Sequence, residues 1–190
     1  MSGAAQVVLG AGTGLGEAYL IPEGDGWRVV PGEGAHGRFG PRDEREIGLL
    51  RYLMALYPGH VSVERVASGP GLVCAYDYLR GDAPRHPRMA EEVPGAVILE
   101  EGLAGRCPHA EGAIEIFLDT LADEAATVAI KCNAGMVYLS GGMAPRLLPR
   151  LAARFRAAFV DKGRYRSWLE TIPIRLVVHP DPGLLGAQLA

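Results

Sequence analysis

The chain has 190 residues, enough for one domain with its own core. Hydrophobic residues make up 48% and charged residues 22%, which excludes a disordered or collagenous chain and fits an ordinary soluble globular protein. The net charge of −3 gives no electrostatic reason to bind nucleic acid or an anionic membrane.

Three scattered cysteines, Cys74, Cys107 and Cys132, form no Cys-x-x-Cys pair. They argue against a structural zinc and fit a reducing cytoplasm. The N-terminus has no basic stretch followed by an apolar one, and no apolar run reaches membrane-spanning length.

In chain order, the apolar run Gln6 to Leu9 leads into Gly10-Ala11-Gly12-Thr13-Gly14-Leu15-Gly16, and a second run, Glu17 to Ile21, follows. This reads as the tip of a β-hairpin. Its glycines lack the Cβ atoms that keep a bulky anion from the backbone, and Thr13 adds a hydroxyl donor. A nucleotide phosphate is the natural guest. The spacing fails a Walker A loop, since no Gly-Lys pair follows, and fails the Gly-x-Gly-x-x-Gly register from either Gly10 or Gly12. Taken alone, the segment fits a ligand-free hairpin turn equally well.

Trp27 to Pro31 is expected to pair back on Glu17 to Ile21 around the turn Glu23-Gly24-Asp25-Gly26. A helix is expected from Asp43 to Tyr57, capped by Asp43 and ended by Pro58-Gly59. Ser68-Gly69-Pro70-Gly71 opens a second helix carrying Leu72, Val73, Tyr76 and Leu79. Residues 81–95 read as a surface loop, and Pro94 with the 102–108 region as short helices with breaks. The longest helix is expected from Ala110 to Cys132, stopped by Asn133 and Gly135. A buried strand, Met136 to Ser140, then Gly141-Gly142 and a helix opened by Pro145 follow. A strand from Ile172 to Val178 and a short helix from Gly183 close the chain. A hairpin set followed by helices interleaved with strands implies an α/β domain with helices packed on a sheet.

Two further segments carry polar side chains. In Pro31-Gly32-Glu33-Gly34-Ala35-His36-Gly37, Glu33 and His36 sit in a glycine-rich loop; Glu64 lies in Val63-Glu64-Arg65 ahead of the second helix. Carboxylates accept from vicinal hydroxyls, and imidazole donates or accepts, so this is a lining for a polyhydroxyl ligand. Solvated surface carboxylates, the usual fate of glutamate, are the competing reading. Glu33 and His36 without a third ligand nearby do not define a zinc site.

Together these segments resemble the bacterial glucokinase family of the hexokinase–actin–heat-shock ATPase superfamily. The resemblance runs through Gly12 to Gly16, Pro31 to His36, Val63 to Gly71, Val137 to Arg146, Asp161 to Arg164 and Asp181 to Gly186, in order. It implies a ribonuclease H-like, actin-like ATPase lobe over residues 1–190, with a mixed sheet and packed helices. It also implies ATP-dependent phosphorylation of glucose with Mg²⁺. Gly12, Thr13 and Gly14 match the second phosphate loop, with Gly14 also near the sugar. Glu33, His36 and Glu64 match the residues that hold glucose hydroxyls. Gly141 and Gly142 match the adenosine-side motif.

The family's first lobe, with its Asp-x-Gly-Gly-Thr loop and general-base Asp, has no counterpart in the sequence. The resemblance therefore implies a C-terminal lobe, with the N-terminal lobe as partner, no catalytic base or metal ligand of its own, and a homodimeric, cytoplasmic setting. A non-catalytic sugar-binding or regulatory module of the same fold is the alternative. In the family, paired glycines tend to precede the Val137 strand, and Met136 takes the second place here.

Overall fold

The computed structural model describes residues 3–179 and 181–189. The first strand, β1 (Gln6–Ala11), alternates buried and half-buried residues, with Val7, Leu9 and Ala11 turned into the core. It pairs antiparallel with β2 (Leu15–Glu23), Ala11 opposite Leu15, so the expected hairpin forms with a three-residue tip. Next, β2 pairs antiparallel with β3 (Gly26–Gly32), Glu17 opposite Gly32 and Ile21 opposite Arg28, as the sequence implies. On the other side of β1, β4 (Met136–Ser140) and β5 (Ile174–Leu176) add in parallel, giving the mixed order β3-β2-β1-β4-β5.

Helix α1 (Glu44–Leu56) starts at Asp43, whose carboxylate accepts the Glu46 amide at 2.8 Å. Helix α2 (Gly69–Arg80) starts at Ser68, whose hydroxyl accepts the Gly71 amide at 3.2 Å. Both side chains satisfy donors that a helix N-terminus otherwise leaves open. Within the expected 81–95 loop a single 3-10 turn forms at Pro87–Ala90, and α3 (Pro94–Leu103) begins at Pro94.

The 25-residue α4 (Pro108–Cys132) begins two residues earlier than its apolar period indicates, because proline suits the first helical turn. It ends at Asn133 in the left-handed conformation, φ 48°. This helix is apolar over most of its surface. It packs on β1 and against α2, α3 and α5.

Helix α5 (Ala144–Phe159) holds Pro149 inside it and kinks at Leu151, where φ is −120°. Proline there removes one ladder donor and crowds the preceding turn. A four-residue α6 (Arg166–Leu169) precedes β5, and α7 (Pro182–Leu189) follows it. The β5 strand is shorter than expected, three residues instead of seven. Pro173 lacks a donor, although its carbonyl accepts from Val137 N at 3.1 Å.

Charges stitch the helices together. The wholly buried Glu46 is answered by Arg42, whose guanidinium also approaches Asp119 at 3.3 Å. Arg154 of α5 meets the same Asp119 carboxylate, Nε to Oδ1 at 2.9 Å. No helix among the described residues is long and apolar enough to cross a membrane.

Candidate functional site

Three segments converge at the C-terminal ends of β1 and β4. The first is the hairpin tip, Gly12-Thr13-Gly14. Gly12 N donates to Gly14 O at 2.8 Å, and Gly12 O accepts from Gly69 N, at the start of α2, at 2.7 Å. Thr13 is exposed. The tip is thus tight, and its outer side is open.

The second segment is the turn that carries Glu64. The 3-10 turn Val63–Arg65 leads straight to the Ser68 cap, which fixes where Glu64 leaves the backbone. Glu64 Oε2 accepts the Leu15 amide at 2.9 Å. A Cβ added at Gly14 would lie 2.7 Å from that same oxygen. Glycine at position 14 is therefore what lets the carboxylate reach the loop. Half-buried Glu64 thus ties the hairpin tip to the turn ahead of α2.

Glu33 precedes the 3-10 turn Gly34–His36, and His36 is its last residue. Their side chains approach at 3.6 Å, and the Glu33 side chain is 88% exposed. This turn is tied to the Glu64 turn: Val63 N donates to Gly37 O at 2.9 Å, Arg38 and Ser62 form a bridge, and Phe39 N donates to Val61 O at 2.9 Å. His60, which sequence reasoning did not single out, donates from Nε2 to the His36 carbonyl at 2.7 Å. Among the described residues no hydrogen bond joins Glu33 or His36 to Glu64 or Thr13.

The third segment is Gly141-Gly142. Parallel pairing sets Gly10 opposite Ser140, so the chain leaves β4 level with the end of β1. Gly141 has φ +86°, and a Cβ there would lie 2.8 Å from both Ala11 N and Ala11 C. Met143 N donates to Ala11 O at 3.3 Å. Gly141 thus lies against the strand that enters the hairpin tip. Both glycines are exposed.

Beneath the Glu33–His36 turn lies a carboxyl pair that the sequence did not reveal. Glu17, on the inward side of β2 with Leu15, is 7% exposed, and Glu124 of α4 is 6% exposed. Burial pushes the Glu17 carboxyl above its ordinary range. Burial, reinforced by the Glu17 charge, pushes Glu124 up to about 7. The available signal was a glutamate at an inward position of an alternating strand.

A separate groove of about 740 Å³ runs between α5 and the β5 segment, lined by Leu148, Phe155, Ile172 and Ile174 among others. None of the site residues borders it.

Comparison with known proteins adds a family. A family model described as Glucokinase matches residues 1–190. The glucokinase of Trichormus variabilis is 38% identical over 202 residues, covering 96% of this chain and 59% of its own length. A crystal structure of glucokinase from an Antarctic psychrotroph matches with a TM-score of 0.83 and 29% identity, over 99% of this chain and 58% of that one. Glucokinase from Balamuthia mandrillaris, solved in complex with glucose, matches with a TM-score of 0.79 and 25% identity, over 93% and 50% of the two chains. The chain thus spans between 50% and 59% of the length of these relatives.

Proposed function

The chain belongs to the glucokinase family, and on that premise we propose that it is the sugar- and nucleotide-binding lobe of an enzyme that phosphorylates glucose with ATP. The observation that carries this reading is the Glu64–Leu15 contact. It joins a carboxylate suited to sugar hydroxyls to the loop suited to phosphate, so donor and acceptor substrates would lie side by side.

The exposed loops and their free donors support a role for each residue. The amides of Gly12 and Leu15 are committed internally, so an incoming phosphate would be met by the Thr13 hydroxyl and the amides of Thr13 and Gly14. Exposed Gly141 and Gly142 would leave room for the adenosine. Glu33, His36 and the Glu64 oxygen not bound to Leu15 would take the sugar hydroxyls. Hydrogen bonds of that kind contribute about 1.5–3 kcal/mol each to a charged partner. Mg²⁺, bound with the nucleotide, would neutralise charge on the transferred phosphoryl group.

Glu64 is held by Leu15, and Glu33 and His36 line an open face. We take none of them as the base for the attacking hydroxyl, because a base must sit within hydrogen-bond reach of the proton it takes. We assign that base, and closure over the open face, to a second lobe of the length by which the relatives exceed this chain. A homodimer in the cytoplasm belongs to the same proposal.

The test is calorimetric titration of glucose into wild type and Glu33→Gln, beside a phosphorylation assay of the 190-residue chain. Glucose binding weakened by Glu33→Gln, with no turnover by the chain alone, is the expected result. Equal binding by both proteins removes Glu33 from the sugar site. Turnover at ordinary kinase rates overturns the assignment of the base. Sugar binding that persists when the second lobe is supplied, still without turnover, favours the regulatory module.

A further inference from the structure

The glycines of the Pro31-to-His36 segment are each covered by a side chain of β2. Tyr19 lies against Gly32: a Cβ there would be 3.1 Å from the ring Cζ. Glu17 lies against Gly34, where a Cβ would be 3.1 Å from the Glu17 Cδ and nearer still to Oε2. The backbone of the turn that carries Glu33 and His36 therefore rests on the Glu17 carboxyl.

That carboxyl is unusual in its surroundings. Its Oε2 accepts the Tyr19 hydroxyl at 3.4 Å, while its buried Oε1 has no donor among the described residues. Facing it are Glu124, Lys131 and Cys132 from α4, Tyr19 from its own strand and Glu33 from the turn above. Two carboxylates offer each other only acceptors. A buried acceptor without a donor costs about 1–3 kcal/mol, so the arrangement calls for a proton on one of the two. With that proton, one carboxyl donates to the other. Without it, two like charges repel in a buried place, and the displaced group is the one that touches Gly34.

Resting on the glucose-binding reading, we propose that Glu17 is a positioning residue: hydrogen-bonded to Glu124 through one shared proton, it seats Gly34 and so sets where Glu33 and His36 meet the sugar. Loss of that proton unseats the turn. Glutamine at position 17 supplies a permanent donor of nearly the same shape, so it keeps the seat and removes its dependence on pH. Alanine removes the seat.

The experiment measures glucose affinity by calorimetry between pH 5.5 and 8.5 for wild type, Glu17→Gln, Glu17→Ala and Glu124→Gln. Amide shifts of Gly34 to His36 are followed by NMR over the same range. Wild type is expected to weaken as pH rises past neutrality. Glu17→Gln and Glu124→Gln should bind like acidic wild type across the whole range. Glu17→Ala should bind roughly tenfold more weakly at every pH, as when a charge-assisted hydrogen bond to the sugar is misplaced.

Wild-type affinity in folded Glu17→Ala, or one pH profile for wild type and Glu17→Gln, overturns the proposal. So does a Gly34 amide whose titration is the same in all four proteins. Should wild type bind no glucose, the sugar reading fails by itself, and the amide titration still decides whether Glu17 seats the turn.

Discussion

The Glu64 carboxylate accepts the Leu15 amide at 2.9 Å and occupies the space that any side chain at position 14 would need. One contact thus aligns the hairpin tip with the turn ahead of α2, and it makes glycine at 14 a requirement of the site more than of the fold.

Gly14→Ala should therefore lower glucose affinity by tenfold or more, about 1.4 kcal/mol, while the melting temperature falls little. The added methyl pushes aside the end of a half-buried side chain, not backbone. Paired calorimetry and thermal melts check this. A large melting shift with intact binding contradicts it.

Gly141→Ala should behave in the opposite way. Its φ of +86° suits glycine, and the new Cβ would meet the Ala11 backbone, which cannot step aside. Backbone strain of this kind costs about 1–3 kcal/mol before any clash is counted. Chemical denaturation is expected to show that loss with or without nucleotide present.

Ser68→Ala removes the buried cap of α2 and should cost about 1 kcal/mol. Gly69 donates to Gly12 O, so hydrogen exchange at the Gly69 amide should also quicken. An unchanged exchange rate there would show that the hairpin tip does not depend on the cap.

Glu124 gives the stability a pH dependence of definite sign. Its folded-state pKa, about 7, lies above the ordinary 4.5, so the folded protein holds more protons between those values. Stability from this group is full below pH 4.5 and is lost as pH rises through 7. Glu124→Gln should flatten the fall in stability between about pH 4.5 and pH 7. Urea midpoints measured across that range for both proteins provide the check.

Local rules carried the reading where neighbours in sequence decide the structure. The hairpin of β1 and β2, the Asp43 cap, the helix start at Ser68 to Gly71 and the stop at Asn133 follow from glycine, capping side chains and apolar period. Pro149 went unread because the apolar residues on either side keep helical spacing across the kink at Leu151. At the site, residue types pointed to Glu33, His36 and Glu64, but their arrangement is tertiary. Nothing near Glu64 in sequence indicates Leu15, and nothing near Glu17 indicates Glu124, which arrives on the far longer α4. A carboxyl pair brought together from a strand and a distant helix leaves only a faint trace, a charged residue where an apolar one is usual.

Because Gly10 and Ser140 stand side by side in parallel strands, the hairpin tip and the Gly141 turn leave the sheet at one level. A nucleotide lying along that rim would staple together stretches of chain far apart in the sequence. Its grip would then be registered by the entire sheet as it melts, not by one loop, and a simple heat-shift titration would become a gauge of occupancy.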